Sequence, residues 1–195
     1  MKKLFFLAIV LAAIVFTNCT PKRQVQRIDP NQVVDLSGRW NDTDSKLVAE
    51  EMIKDVLDRP WRINFENKFS KKPTVIIGQV KNKTSEHIDA TNFIKNMERS
   101  FINSGTVSVV QSGDARVEAR DERNDQQTFA SEESRKKWGK EKGADFIMSG
   151  VITSIVDEFK NQKVVSYQIN LELTDLETNE KVWIGEKQIK KFVKN

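Results

Sequence analysis

Val164-Val-Ser-Tyr-Gln-Ile-Asn-Leu-Glu-Leu173, Thr174-Asp-Leu-Glu-Thr-Asn-Glu180 and Lys181-Val-Trp-Ile-Gly-Glu-Lys-Gln-Ile189 read in turn as strand, hairpin loop and strand. Val165, Tyr167, Ile169, Leu171 and Leu173 alternate with polar residues, the period of a strand with one buried face. In the loop, Asn179 takes a left-handed conformation at low cost. Just upstream, Ala144-Asp-Phe-Ile-Met-Ser-Gly-Val-Ile-Thr-Ser-Ile-Val156 is a third, long strand. Three strands this close in sequence predict an antiparallel meander.

Further upstream the period changes to that of helices. Phe93, Ile94, Met97, Phe101 and Ile102 form an apolar stripe over Ala90 to Ser104, and Gly105 supplies a C-terminal cap. Asp42-Thr43-Asp44-Ser45 offers caps and acidic residues to a helix over Lys46 to Leu57. Its apolar face is Leu47, Val48, Met52, Ile53 and Val56, and Pro60 follows its end. Trp61 to Phe69 is short and reads as one or two helical turns. Pro73-Thr-Val-Ile-Ile-Gly-Gln-Val80 is a continuous apolar, β-branched run, as in a strand covered on both faces. Thr106 to Val110 alternates as a short strand. Ala115 to Gln127 is highly charged and reads equally as a solvated helix or a mobile segment. Ser131 to Lys142 predicts a helix with Trp138 on its buried side, stopped by Gly143. The expected fold is a single-domain α/β sandwich with a mixed, mostly antiparallel sheet flanked by helices.

The chain has 195 residues, 38% hydrophobic and 31% charged, which suits one domain plus a tail. Basic and acidic residues number 32 and 28 and are interleaved, which argues against nucleic-acid binding. One Cys and one His leave no disulfide within the chain and no Cys/His zinc site.

The N-terminus reads as an address. Lys2 and Lys3 precede an apolar run of 13 residues, Leu4 to Phe16, the length of a secretory h-region and too short to span a bilayer. Phe16-Thr17-Asn18-Cys19 follows as a relaxed lipobox, with Cys19 as the lipidation site after cleavage of residues 1–18. Losing the two lysines lowers the formal charge from +4 to +2. Thr20 is not the Asp that retains many enterobacterial lipoproteins at the inner membrane, so the outer membrane, facing the periplasm, is the expected location. Residues 19–34 form a polar tether with Pro21 and Pro30, and residues 35–195 form the folded domain. From Cys19 to Val34 the tether reaches at most roughly 55 Å.

Five stretches carry a family resemblance. They are Val34-Asp-Leu-Ser-Gly-Arg-Trp-Asn-Asp-Thr-Asp-Ser45, Lys72-Pro-Thr-Val-Ile-Ile-Gly-Gln-Val-Lys-Asn-Lys-Thr-Ser-Glu-His-Ile88, and Phe93-Ile-Lys-Asn-Met-Glu-Arg-Ser-Phe-Ile-Asn-Ser-Gly105. Gly143-Ala-Asp-Phe-Ile-Met-Ser-Gly-Val-Ile152 and Leu173-Thr-Asp-Leu-Glu-Thr-Asn-Glu-Lys-Val-Trp183 complete them. Together they resemble the LpoB family of outer-membrane lipoproteins. The last two also recur in the N-terminal domain of TolB and in CsgG-like lipoproteins. The resemblance implies a non-enzymatic monomer without cofactor or metal. It docks on a regulatory domain of a bifunctional, class A penicillin-binding protein and stimulates peptidoglycan synthesis. Enterobacterial members carry a much longer disordered linker, so this tether implies a nearer or taller partner, or a thinner periplasm. The rival reading is a TolB- or CsgG-like interaction module in envelope assembly or secretion.

Individual residues sharpen little of this. His87, the only His, reads as a surface or hydrogen-bonding residue without a catalytic partner. No Gly-x-Ser-x-Gly elbow is present, and Gly139-Lys-Glu-Lys-Gly143 lacks the Lys-Ser/Thr of a phosphate loop. Most of Trp40, Trp61, Trp138 and Trp183 read as packing residues. Arg39 and Trp40, in the polar segment leaving the tether, are the candidate partner-binding pair, because Arg and Trp are enriched at interface hot spots.

Overall fold

The computed structural model describes residues 24–30 and 32–194. The expected signal segment, Cys19 and the first part of the expected tether lie outside the described residues. The chain divides into two compact units, Met1–Gln32 and Val33–Asn195. The described residues of the first unit are exposed, with the Gln32 amide donating to the Asp29 carbonyl at 3.0 Å.

The second unit runs α1 (Asp42–Asp58), α2 (Trp61–Phe69), β1 (Thr74–Asn82), α3 (Ala90–Ser104), β2 (Ser108–Val110), α4 (Gly113–Phe129), β3 (Phe146–Phe159), β4 (Gln162–Asp175) and β5 (Lys181–Lys194). The five strands form one mixed sheet in the order β2-β1-β3-β4-β5. β1 lies parallel to both β2 and β3. The meander is antiparallel as expected, its β3–β4 ladder unbroken from Phe146–Asp175 to Phe159–Gln162. At 14 residues each, these strands outrun the segments their apolar alternation marks, because polar ends pair as well as apolar middles. Asn179 adopts φ +61°, the left-handed conformation its loop position called for.

One face of the sheet carries the core. Val165, Tyr167, Ile169, Leu171 and Leu173 of β4 are buried there with Phe146, Met148 and Ile152 of β3. α1 and α3 pack against each other, α1 reaching β5 and α3 reaching β1 and β2. α1 contributes Val48, Ala49, Met52, Ile53 and Val56, and α3 contributes Phe93, Met97 and Phe101. Apart from Ala49, each such side chain stabilises the fold by about 1.5–3 kcal/mol. Every buried core residue lies between Val48 and Trp183, so a chain that begins at residue 20 keeps the whole core.

Several expectations change. Leu47 and Ile102 are exposed, at the margins of their stripes. α1 starts at Asp42, earlier than the apolar stripe indicates, because Asn41 caps it. The Asn41 side chain accepts from the Asp44 amide, and the Asp44 carboxylate accepts from the Asn41 amide. α2 is a full helix, fixed by Trp61 and Phe65, which meet Phe146 edge-on at 5.0 and 5.3 Å. The charged stretch is the solvated helix of its two readings, since α4 buries no residue. The helix expected over Ser131 to Lys142 is absent. The segment is turns and irregular chain, and Trp138 is 54% exposed. A lone Trp among Lys, Glu and Ser provides no apolar stripe with which to dock a helix.

Candidate functional site

Where the chain enters the second unit, its backbone is clasped to the C-terminal end of β5. Lys191 points to the core side of that strand and is buried. Its ammonium meets the Asp35 carboxylate at 2.7 Å and the Asp44 carboxylate at 2.6 Å, and donates to the Arg39 carbonyl at 2.9 Å. All three N–H bonds are thereby used, the condition for keeping a lysine charged out of water. Burial by itself depresses the Lys191 pKa, but the two carboxylates outweigh it and the net shift is upward. The Lys191 ammonium therefore stays charged throughout the neutral range.

Backbone geometry tightens the approach. Gly38 has φ +66°, and a Cβ there would lie 2.2 Å from Val193 Cγ2, so only glycine fits. Trp40 is half-buried and turned inward. Its indole N–H donates to Ser45 Oγ at 2.8 Å, and its ring meets the buried Tyr167 edge-on at 5.5 Å. Its amide donates to one oxygen of Glu86 at 3.1 Å, while the Tyr167 hydroxyl donates to the other at 2.5 Å. Burial, reinforced by this carboxylate, pushes the Tyr167 pKa strongly upward, so the phenol remains a donor. Arg39 is exposed, with its carbonyl held by Lys191. The two residues marked in the sequence thus take different places: Trp40 wedges into the domain and Arg39 faces solvent on an immobilised backbone. Asp35, Glu86, Tyr167 and Lys191 escaped the sequence reading. Lys191 had a signal, since carrying the alternation of Trp183 and Ile189 two residues further turns it inward.

Elsewhere the surface offers charge rather than chemistry. Behind α4 a cleft of about 600 Å³ is floored by Ile76, Val110 and Ile147. Arg120 grips Glu141 with two bonds of 2.9 Å, and Arg123 adds a third at 2.8 Å. These bonds hold the Glu141 carboxyl at about 2. The cleft holds no Ser, Cys or His, so it has no nucleophile–base pair. His87 is exposed. The carboxyls that clearly depart from their ordinary values, Asp55, Asp89 and Glu141, all shift downward, the opposite of a general acid. Among the described residues no group of His, Cys, Asp and Glu could hold a metal ion, and no helix is long and apolar enough to cross a membrane.

The sequence profile described as peptidoglycan-synthase activator LpoB matches residues 44–189, about three quarters of the chain. The chain belongs to the LpoB family. Solved structures of family members resemble it at low identity. The C-terminal domain of LpoB from Escherichia coli is 14% identical, with 75% of this chain and 98% of that one covered and a TM-score of 0.44. The corresponding Salmonella enterica domain is 15% identical, with 67% and 93% covered and a TM-score of 0.38. The NMR structure of Escherichia coli LpoB is 14% identical, with 92% and 85% covered and a TM-score of 0.43. No curated protein matches the sequence. As a family, LpoB proteins are envelope lipoproteins that activate peptidoglycan synthases rather than known enzymes.

Proposed function

We propose that this LpoB-family chain is an outer-membrane lipoprotein that binds a class A penicillin-binding protein from the periplasmic side and activates it. Residues 1–18 are removed as a signal peptide, Cys19 carries the lipid, residues 19–34 tether the domain, and residues 35–195 act as a monomer without cofactor or metal. Activation is a population shift. The domain binds the active conformation of the synthase more tightly than the inactive one, and the difference sets the stimulation.

The observation that carries this reading is the profile match over residues 44–189. Arg39, with the exposed part of Trp40, is the proposed contact. Its backbone is already immobilised by Lys191, so docking loses less conformational freedom than docking of a loose loop. The test uses residues 20–195 as bait in a detergent extract of the host envelope, followed by a polymerisation assay of any synthase recovered. Recovery with faster polymerisation, weakened by Arg39→Ala, is the expected result. Secretion or assembly proteins without a synthase would instead favour the TolB- or CsgG-like module.

A further inference from the structure

The sheet has a second face, and one end of it carries several exposed apolar side chains. Along β3, residues Ile155, Asp157 and Phe159 point to the side opposite the core. The register sets Val164 between Asp157 and Phe192. Ile155 and Phe159 are each 73% exposed and Phe192 is 62% exposed. The strands turn at Lys160-Asn161, and Lys160 Nζ lies 5.2 Å from the Phe159 ring centroid. Lys190 and Lys194 stand on the same face at this end, while Lys163 pairs with Glu158 in the register on the other face and Asp157 lies beside Val164. Leu36 is almost wholly exposed too, but its neighbours Asp35 and Gly38 lie against Lys191 and Val193 on the core side of β5, so it is not part of this face.

The end of the domain that receives the tether is therefore both greasy and lysine-rich. We infer that it docks on a lipid bilayer surface containing anionic headgroups, with Phe159, Phe192 and Ile155 entering the headgroup–acyl boundary and the lysines lying over lipid phosphates. Two features favour a bilayer over a protein. Three large side chains amount to roughly 400 Å², below the roughly 800 Å² per partner of a stable protein complex. Long lysine stems beside aromatic rings suit an interface where the apolar part sinks and the ammonium remains in water. The choice of surface also draws on the proposed lipid at Cys19, which would hold this end close to a membrane. The contact is weak by itself and gains from the high effective concentration a tether provides.

The test omits the lipid anchor. Residues 20–195 are sedimented with vesicles of phosphatidylethanolamine and phosphatidylglycerol, and with vesicles of phosphatidylcholine alone. Binding to the anionic vesicles is expected, falling as salt rises. The double variant Phe159→Ser with Phe192→Ser should weaken it by about tenfold or more. Both side chains are exposed, and an unchanged thermal midpoint would confirm that the fold is intact. Ile184→Ser, at the far end of the same sheet face, should leave binding unchanged. Three results would overturn the inference: no binding by the wild-type chain, equal weakening by Ile184→Ser, or lipid-free dimers that the double variant abolishes. Stimulation of a synthase in detergent, without a bilayer, is scored separately, so loss of either reading leaves the other standing.

Discussion

α1 and α4 are each 17 residues long and stay folded by opposite means. α1 buries seven residues and is capped by the Asn41–Asp44 box. α4 buries none, and its Ser112 cap makes no side-chain hydrogen bond. It is tied down by Arg120 and Arg123 through Glu141, a residue of an irregular segment. Burial resists salt and acid because it depends on area. An exposed ion pair is screened by the first and neutralised by the second. One protein thus contains a helix that can be lost only with the whole domain and another that can loosen alone.

The contrast breaks most sharply at α1. Ile53→Ala should cost about 4 kcal/mol, the transfer loss plus a cavity, and lower the urea midpoint for the entire domain. Lys191→Met should follow at about 3 kcal/mol, because it leaves the carboxylate of Asp44 buried without its cation. The same variant frees the backbone of residues 35–39, which hydrogen exchange reports directly.

At α4 the effects are local. Glu141→Gln should abolish slow amide exchange in residues 113–129 while leaving the global midpoint almost unmoved. Acid should do the same to the wild-type chain. A carboxyl depressed from 4.5 to about 2 contributes stability that is complete above pH 4.5 and is lost as pH falls toward 2. α4 protection should therefore fade through that window. Phe129→Ser, on a side chain 84% exposed, should change stability by less than about 0.5 kcal/mol. A larger loss would show that α4 has a packed partner after all.

The same contrast governs what could be read in advance. Periodic burial leaves a trace in sequence, so the stripes of α1 and α3 and the alternation of β4 marked those elements. Gly105 marked the end of α3, with φ +65°. Ion pairs leave no such trace. Nothing near Lys191 names Asp44, 147 positions away, and nothing near Arg120 names Glu141. The 131–142 segment misled for the complementary reason: residues of good helix propensity lack anything to bury. At the candidate site, Arg39 and Trp40 were conspicuous by type, yet the inward turn of Trp40 depends on Tyr167 and Glu86, which only the fold brings near.

Among the described residues, β5 forms one margin of the sheet and has no strand on its outer side. Such a margin invites the same margin of another copy, the route by which β proteins aggregate. Lysines at 181, 187, 190, 191 and 194 oppose this, and Lys191 does so from the inward side, where a charge penalises strand addition. The residue that clasps the segment 35–44 thus also guards solubility. Chains that lose it should accumulate as insoluble aggregate during expression, beyond what their lowered stability alone would produce.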